Sequence, residues 1–288
     1  MIVKEHYDVE VSYLEGPSAR VVSGCDDPDT KLVSWIHCTM KRPEDVASSF
    51  RNWREASACY GRMGRLVFVS ESVRRAFLEN CRYSGETSVL YNTMESARIE
   101  ELAHECVPDF LQEGIRLVSV GTLKEVKGFD RLLRIVKRLR DEGYPVHLYL
   151  LGEGPMRGVL ERYVAENDLE RSVKLTGYLT NPYRYVAKCD LTVCSSYSEG
   201  FSSAVMESLI VGTPVCTVEV SGMREMLGNH NEYGVVTENS EEALYQGIKS
   251  LLDTPELLKH YRQQAITRGE KFSTAETVGA VQEMLLRL

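Results

Sequence analysis

From Ile115 onward, short mainly apolar runs alternate with amphipathic ones. The mainly apolar runs are Ile115 to Val120, Val146 to Leu151, Val173 to Leu175, Leu191 to Cys194, Val215 to Val220 and Tyr233 to Val236. Gly, Ser, Pro and charged residues bound most of them, and they read as buried strands. Helical spacing predicts helices between and after them. In Phe129 to Asp141 the inward positions are Phe129, Leu132, Leu133, Val136 and Leu139. Met156 to Asn167 and Pro182 to Cys189 follow. A helix led by Ser202 or Ser203 then carries Ala204, Val205, Leu209 and Ile210, and Gly212 and Pro214 stop it. Glu241 to Leu252, Pro255 to Lys271 and Thr274 to Leu288 end the chain as helices. Strands separated by helices at this spacing imply parallel sheets with right-handed crossovers.

The first third repeats the pattern with fewer strands. Candidates are Tyr7 to Leu14, Leu32 to Ile36, Leu66 to Val69 and Ser88 to Tyr91, the last closed by Asn92. Glu15-Gly16-Pro17 is a turn and Ser18 to Ser23 a short helix. Glu44 to Tyr60 is predicted as one helix with the stripe Val46, Phe50, Trp53, Ser57 and Tyr60. Ser70 caps the helix Glu71 to Cys81, and Ser96 to Cys106 is a polar helix. The expected class is α/β with two Rossmann-like domains. Residues 1–95 form a partial first domain and 96–112 a linker helix. Residues 113–272 form a fuller second domain, and 273–288 a C-terminal helix free to pack back on the first.

Composition narrows the classes. The chain has 288 residues, 43% hydrophobic, with a net charge of −8, which gives nucleic-acid binding no support. No run of apolar residues has the length of a membrane span, and MIVKEHYDVEV does not read as a signal peptide. The eight cysteines are scattered without a C-x-x-C pair, which implies reduced thiols and a cytoplasmic chain. The arginines near the helix 44–60 leave peripheral contact with a membrane surface open.

The chemistry concentrates between Asp190 and Pro214. A strand, a polar loop and a helix start follow one another there, with Glu199 in the loop and Glu207 two turns into the helix. A helix N-terminus offers free N–H groups and a positive dipole end to an anion. Phosphate at Ser202, Ser203 and Ala204, with carboxylates on sugar hydroxyls, is the arrangement this implies. Elsewhere, Asp27 and Asp29 form a nominal D-x-D whose simpler role is a turn. Gly152-Glu153-Gly154 follows a strand, but Gly158 falls one place late for a dinucleotide fingerprint.

The segment EGFSSAVMESLIVGTPV, with Glu199 and Glu207 as an E-x7-E pair after S-x-x-E-G-F, resembles the signature of retaining family-4 glycosyltransferases of the GT-B fold. Gly121-Thr122-Leu123 through Lys127-Gly128 resembles that family's G-R-L…K-G loop, with Thr122 in place of the Arg. FVSESVRRAFLENC and SVLYNTME are similar to the end of the family's first domain.

The resemblance implies two such domains facing a cleft and a metal-independent hexosyl transfer with retained configuration. No cofactor is needed beyond the nucleotide-sugar donor, with UDP-sugar favoured by family prevalence. The acceptor implied is a saccharide or lipid-linked saccharide in polysaccharide or glycan synthesis, in the cytoplasm or at the inner face of the membrane. Carried over residue by residue, Gly121, Thr122 and Lys127 meet the diphosphate, and Tyr178 and Leu179 the base. Glu199, with Gly200 and Phe201, meets the hexose, Ser202, Ser203 and Ala204 the phosphate, and Glu207 the ribose. Lys127, Glu199 and His37 are the catalytic candidates, and Gly222 and Glu225 partly match a further donor loop. The family's N-terminal Gly-rich loop has no match, so the first domain looks shortened. A nucleotide-sugar-binding fragment or partner subunit without turnover is the alternative.

Overall fold

The computed structural model describes residues 6–107, 110 and 114–288, which form two compact units. The first comprises residues 1–92 and 277–288, the second 93–276.

The sheet of the first unit has four parallel strands in sequence order: β1 (Val9–Ser12), β2 (Lys31–Ile36), β3 (Arg65–Phe68) and β4 (Glu86–Val89). β4 lies two residues earlier than the apolar pattern placed it. Tyr60, Phe68 and Phe77 pack edge-on or tilted in the core, with Tyr60 and Phe77 rings 5.1 Å apart. Within this unit Arg65 Nη1 donates to Met284 O at 3.4 Å, in the helix Thr274–Leu286.

The helix expected over 44–60 is two helices, Pro43–Ala47 and Trp53–Gly61. Asn52 is extended and its side chain accepts the Glu55 N–H at 3.0 Å, while Glu55 Oε2 accepts the Arg51 N–H at 2.6 Å. This reciprocal start signal outcompetes helix continuation, because short polar side chains bond backbone more readily outside a helix. Val46 and Tyr60 still face the core, whereas Trp53 is exposed.

The second unit holds six parallel strands: β5 (Ile115–Val120), β6 (Val146–Leu151), β7 (Val173–Gly177), β8 (Leu191–Cys194), β9 (Val215–Val218) and β10 (Val235–Thr237). Their order is β10-β9-β8-β5-β6-β7. Helices bury Leu117, Leu132, Val136, Leu148, Leu191 and Ile248 on one face and Val118, Tyr149, Tyr185 and Val186 on the other, as an all-parallel sheet requires. The chain runs β5 to β7 toward one edge, then returns beside β5 with β8 and builds toward the other. The crevice beyond the C-terminal ends of β5 and β8 is therefore a topological switch point, where open α/β sheets take ligands.

The helix Met223–Leu227, unforeseen in the sequence, starts at Gly222 in the left-handed region, and the helix Tyr183–Val186 is shorter than expected. The helix Ser96–Ala103 ends before Cys106. Of the predicted linker and domain start, residues 108, 109 and 111–113 lie outside the described residues.

Candidate donor-binding site

Two loops leave the switch point. The first, Gly121 to Gly128, follows β5 and runs against the exit of β6. A side chain at Gly152 would place its Cβ 1.9 Å from Gly121 O, and one at Gly154 would lie 2.5 Å from Leu123 O. Gly152-Glu153-Gly154 thus lets two backbones touch.

The second loop, Ser195 to Ser202, follows β8. Tyr197 N donates to Val126 O at 2.8 Å, and Ser195 Oγ donates to Lys127 O at 3.0 Å. Between the loops sits Arg131, almost fully buried, donating to Ser195 O, Ser196 O and Asn239 Oδ1 at 2.7–2.9 Å. Its guanidinium lies 4.1 Å from the centre of the Tyr197 ring.

Together these loops and the exit of β7 wall a cavity of about 540 Å³. From the first loop come Gly121, Thr122 and Lys127, and from the β7 exit Tyr178 and Leu179. Glu199, Phe201, Ser202, Ser203, Ala204 and Glu207 line the rest. Gly200 and Lys124 are not among the lining residues, nor are Gly222 and Glu225. Gly222 instead takes positive φ, and a Cβ there would lie 2.8 Å from the Phe201 ring. His37 belongs to the first unit. There its backbone N–H donates to Glu15 Oε2 at 2.9 Å, its Nε2 meets Tyr13 O at 2.8 Å, and its ring packs edge-on against Tyr13.

The two glutamates have opposite environments. Glu199 Oε1 receives Lys127 Nζ at 2.6 Å and Ser196 Oγ at 2.5 Å, leaving Oε2 without a hydrogen-bond partner among the described residues. The Glu207 side chain has no hydrogen bond or ion pair among the described residues. Desolvation in the cavity wall lifts its carboxyl from the ordinary 4.5 to about 7. The neighbouring Tyr183 hydroxyl is also pushed up, first by its own burial and then by the Glu207 charge.

The helix Ser203–Ile210 starts without the expected cap. Ser202 occupies the N-cap position with ψ 111° and makes no side-chain cap bond. At the N-caps Ser70 and Ser240, where ψ is 159° and 157°, the side chain accepts an N–H three residues on. The less extended backbone turns the Ser202 hydroxyl away, so the first N–H groups of this helix stay available.

A partly buried carboxylate that ionises late makes a distinct prediction. Glu207 ionises near 4.5 when unfolded and near 7 when folded, so the native state holds the extra proton between these values. Its contribution to stability therefore falls as pH rises from about 4.5 to 7 and is level above that. Glu207→Gln is expected to be more stable than the parent by about 2 kcal/mol at pH 8, with no such gain at pH 4. Urea unfolding at both pH values measures this, and an equal difference at the two would show Glu207 to be readily ionised.

Residues 108–268 match the family model described as Glycosyl transferases group 1, which covers more than half of the chain. The chain belongs to this family. Over 186 residues it is 34% identical to N-acetylgalactosamine-N,N'-diacetylbacillosaminyl-diphospho-undecaprenol 4-alpha-N-acetylgalactosaminyltransferase of Campylobacter jejuni, covering 64% of this chain and 49% of that one. It is 32% identical over 145 residues to the amylovoran biosynthesis glycosyltransferase AmsK of Erwinia amylovora, covering 47% of this chain and 35% of the relative. The chain thus spans at most about half the length of these two relatives.

The structure of Anabaena HepE in complex with UDP superposes with a TM-score of 0.81 at 18% identity, covering 98% of this chain and 79% of HepE. The fold of this group 1 member is accordingly that of the GT-B transferases, with two Rossmann-like sheets of four and six strands. No helix among the described residues is long and apolar enough to cross a membrane.

The sequence reading missed Arg131, Ser196 and Asn239. One signal was available for Arg131. It is a cation in the first turn of the helix Phe129–Asp141, where the macrodipole disfavours positive charge. A residue kept there against that cost has a reason in tertiary structure.

Proposed function

We propose that this group 1 chain moves a hexose from a nucleotide-sugar donor to a saccharide or lipid-linked acceptor, with retention and without a metal ion, in polysaccharide or glycan synthesis. The observation that carries the reading is Glu207, a desolvated carboxyl whose side chain has no partner among the described residues, in the wall of a cavity that also holds a free helix N-terminus and the Lys127–Glu199 pair. A ligand with a vicinal diol supplies the donors Glu207 lacks, and its diphosphate suits Lys127 and the N–H groups of Ser203 and Ala204.

In this reading Lys127 leaves Glu199 for the phosphate and meets the charge that grows on the leaving diphosphate. Glu199 keeps the Ser196 hydroxyl and turns its open Oε2 to a sugar hydroxyl. The diphosphate oxygen takes the acceptor proton as the new glycosidic bond forms on the face the leaving group vacates, so no protein nucleophile is required. UDP is the favoured nucleotide, in keeping with the UDP bound by HepE, and the diphospho-undecaprenol in the name of the Campylobacter relative's activity supports a lipid-linked acceptor. In this reading the chain works in the cytoplasm, meeting such an acceptor at the inner face of the membrane.

Calorimetric titration with UDP, GDP and ADP tests the site. One nucleotide should saturate the parent, and Glu207→Ala should weaken it by about 1–3 kcal/mol through lost buried hydrogen bonds. A folded parent that binds none of the three would end this reading. Binding without transfer to any acceptor would select the alternative of a nucleotide-sugar-binding partner subunit, which Thr122 in the place of the usual Arg favours.

Excess EDTA should leave the transfer rate unchanged. A rate abolished by EDTA and restored by a divalent ion would overturn the metal-free mechanism.

A further inference from the structure

The charged residues lining the cavity are Lys127, Glu153, Glu199 and Glu207. Lys127 is occupied by Glu199, and Glu153 is paired with Arg157. The charged side chains facing the ligand space are thus one lysine against three carboxyl groups and offer a diphosphate no net positive charge. Thr122 supplies none, and Lys124 is exposed outside the lining.

One buried cation lies behind the wall. Every hydrogen bond of Arg131 goes to a neutral oxygen: Ser195 O at 2.7 Å, Ser196 O at 2.9 Å and Asn239 Oδ1 at 2.9 Å. The nearby carboxylates of Asp130 and Glu241 both bond Arg134, at 3.1 and 2.9 Å, and act on Arg131 only through space. A guanidinium does not shed its proton, so this charge persists without a hydrogen-bonded counter-ion among the described residues. From Arg131 the chain of contacts runs through Ser196, whose carbonyl it holds and whose hydroxyl donates to Glu199, to Lys127. Burial keeps water from screening it.

We propose that Arg131 is a positioning residue of the donor site and its second cation. It fixes the loop Ser195–Glu199 so that Lys127 and Glu199 meet, and its charge, hydrogen-bonded to no carboxylate among the described residues, favours the diphosphate from beneath. This rests on the donor-site reading above, and it assigns to a buried helix residue the positive charge that Thr122 does not provide.

The test separates charge from scaffolding by comparing UDP with UMP, which share base and ribose but differ in phosphate charge. Calorimetry on the whole chain would use the parent, Arg131→Gln, Asn239→Asp and Asn239→Ala. Asn239→Asp sets a carboxylate on the Arg131 guanidinium and neutralises it with the fold retained, so the test stands even where Arg131→Gln does not fold. The UDP-to-UMP affinity ratio is expected to fall about tenfold in Arg131→Gln and about fivefold in Asn239→Asp, and to stay at the parent value in Asn239→Ala.

A ratio unchanged in folded Arg131→Gln or in Asn239→Asp, with both affinities falling together or not at all, would reduce Arg131 to a structural brace and overturn the proposal. Failure of the parent itself to bind UDP, GDP or ADP would instead remove the donor site, and this inference with it.

Discussion

Lys127→Ala is expected to lower kcat/KM for sugar transfer about 100-fold, the kinetic equivalent of a lost charge-assisted contact worth about 1.5–3 kcal/mol. The substitution removes the cation that lines the cavity beside Glu199, and it also leaves the Glu199 carboxylate facing the diphosphate of the proposed donor with the Ser196 hydroxyl and the Cys194 thiol on Oε1 but no cation. Both consequences act in the same direction, toward weaker stabilisation of the departing diphosphate. Initial rates with a UDP-sugar measure the effect. Lys124→Ala is the control: this exposed lysine does not line the cavity, and its loss should change the rate less than about twofold. Equal losses in the two variants would show that the loop contributes general positive charge and no specific contact.

Gly128→Ala is expected to be strongly destabilising for so small a substitution. Gly128 has φ +60°, and a Cβ there would lie 2.2 Å from Ser195 O and 3.0 Å from Arg131 Nε. The left-handed conformation alone costs an alanine roughly 1–2 kcal/mol. The contact with a carbonyl that Arg131 holds at 2.7 Å must then be relieved by parting the two loops. A total of about 3 kcal/mol or more is expected, lowering the melting temperature by about 6–12 °C for a unit of this size. Thermal unfolding followed by circular dichroism measures it. A shift below about 2 °C would mean that the loops separate easily and that Arg131 does not bind them tightly.

The same contacts explain what could be read in advance. β5, β6 and β8 and the helix Phe129–Asp141 have the expected bounds, because their apolar runs are continuous or strictly periodic and are stopped by glycine or charge. The helix over 44–60 misled, since Val46, Phe50, Trp53 and Tyr60 keep helical spacing across a break. Periodicity cannot register that Asn52 and Glu55 start a new helix within it. The strand at 86–89 was read late because its burial is only partial, which blurs the apolar signal.

The sequence alone determined the two-sheet α/β plan, since alternating buried runs and amphipathic helices have few other ways to bury their faces. It also singled out Lys127, Glu199 and Glu207 through their resemblance to the family's motifs. Tertiary structure decided how those residues differ. Sequence gives no ground for pairing Lys127 with Glu199 across 72 positions, or for leaving Glu207 unpartnered and ionising near 7. Nor could it show Arg131 as the buried tie between two loops, because an arginine beside a helical stripe reads as solvated until its surroundings are known. Hydrophobic patterning is a local property recorded along the chain. Desolvation and charge pairing depend on what the fold brings near, and here the return of β8 to lie beside β5 settles both.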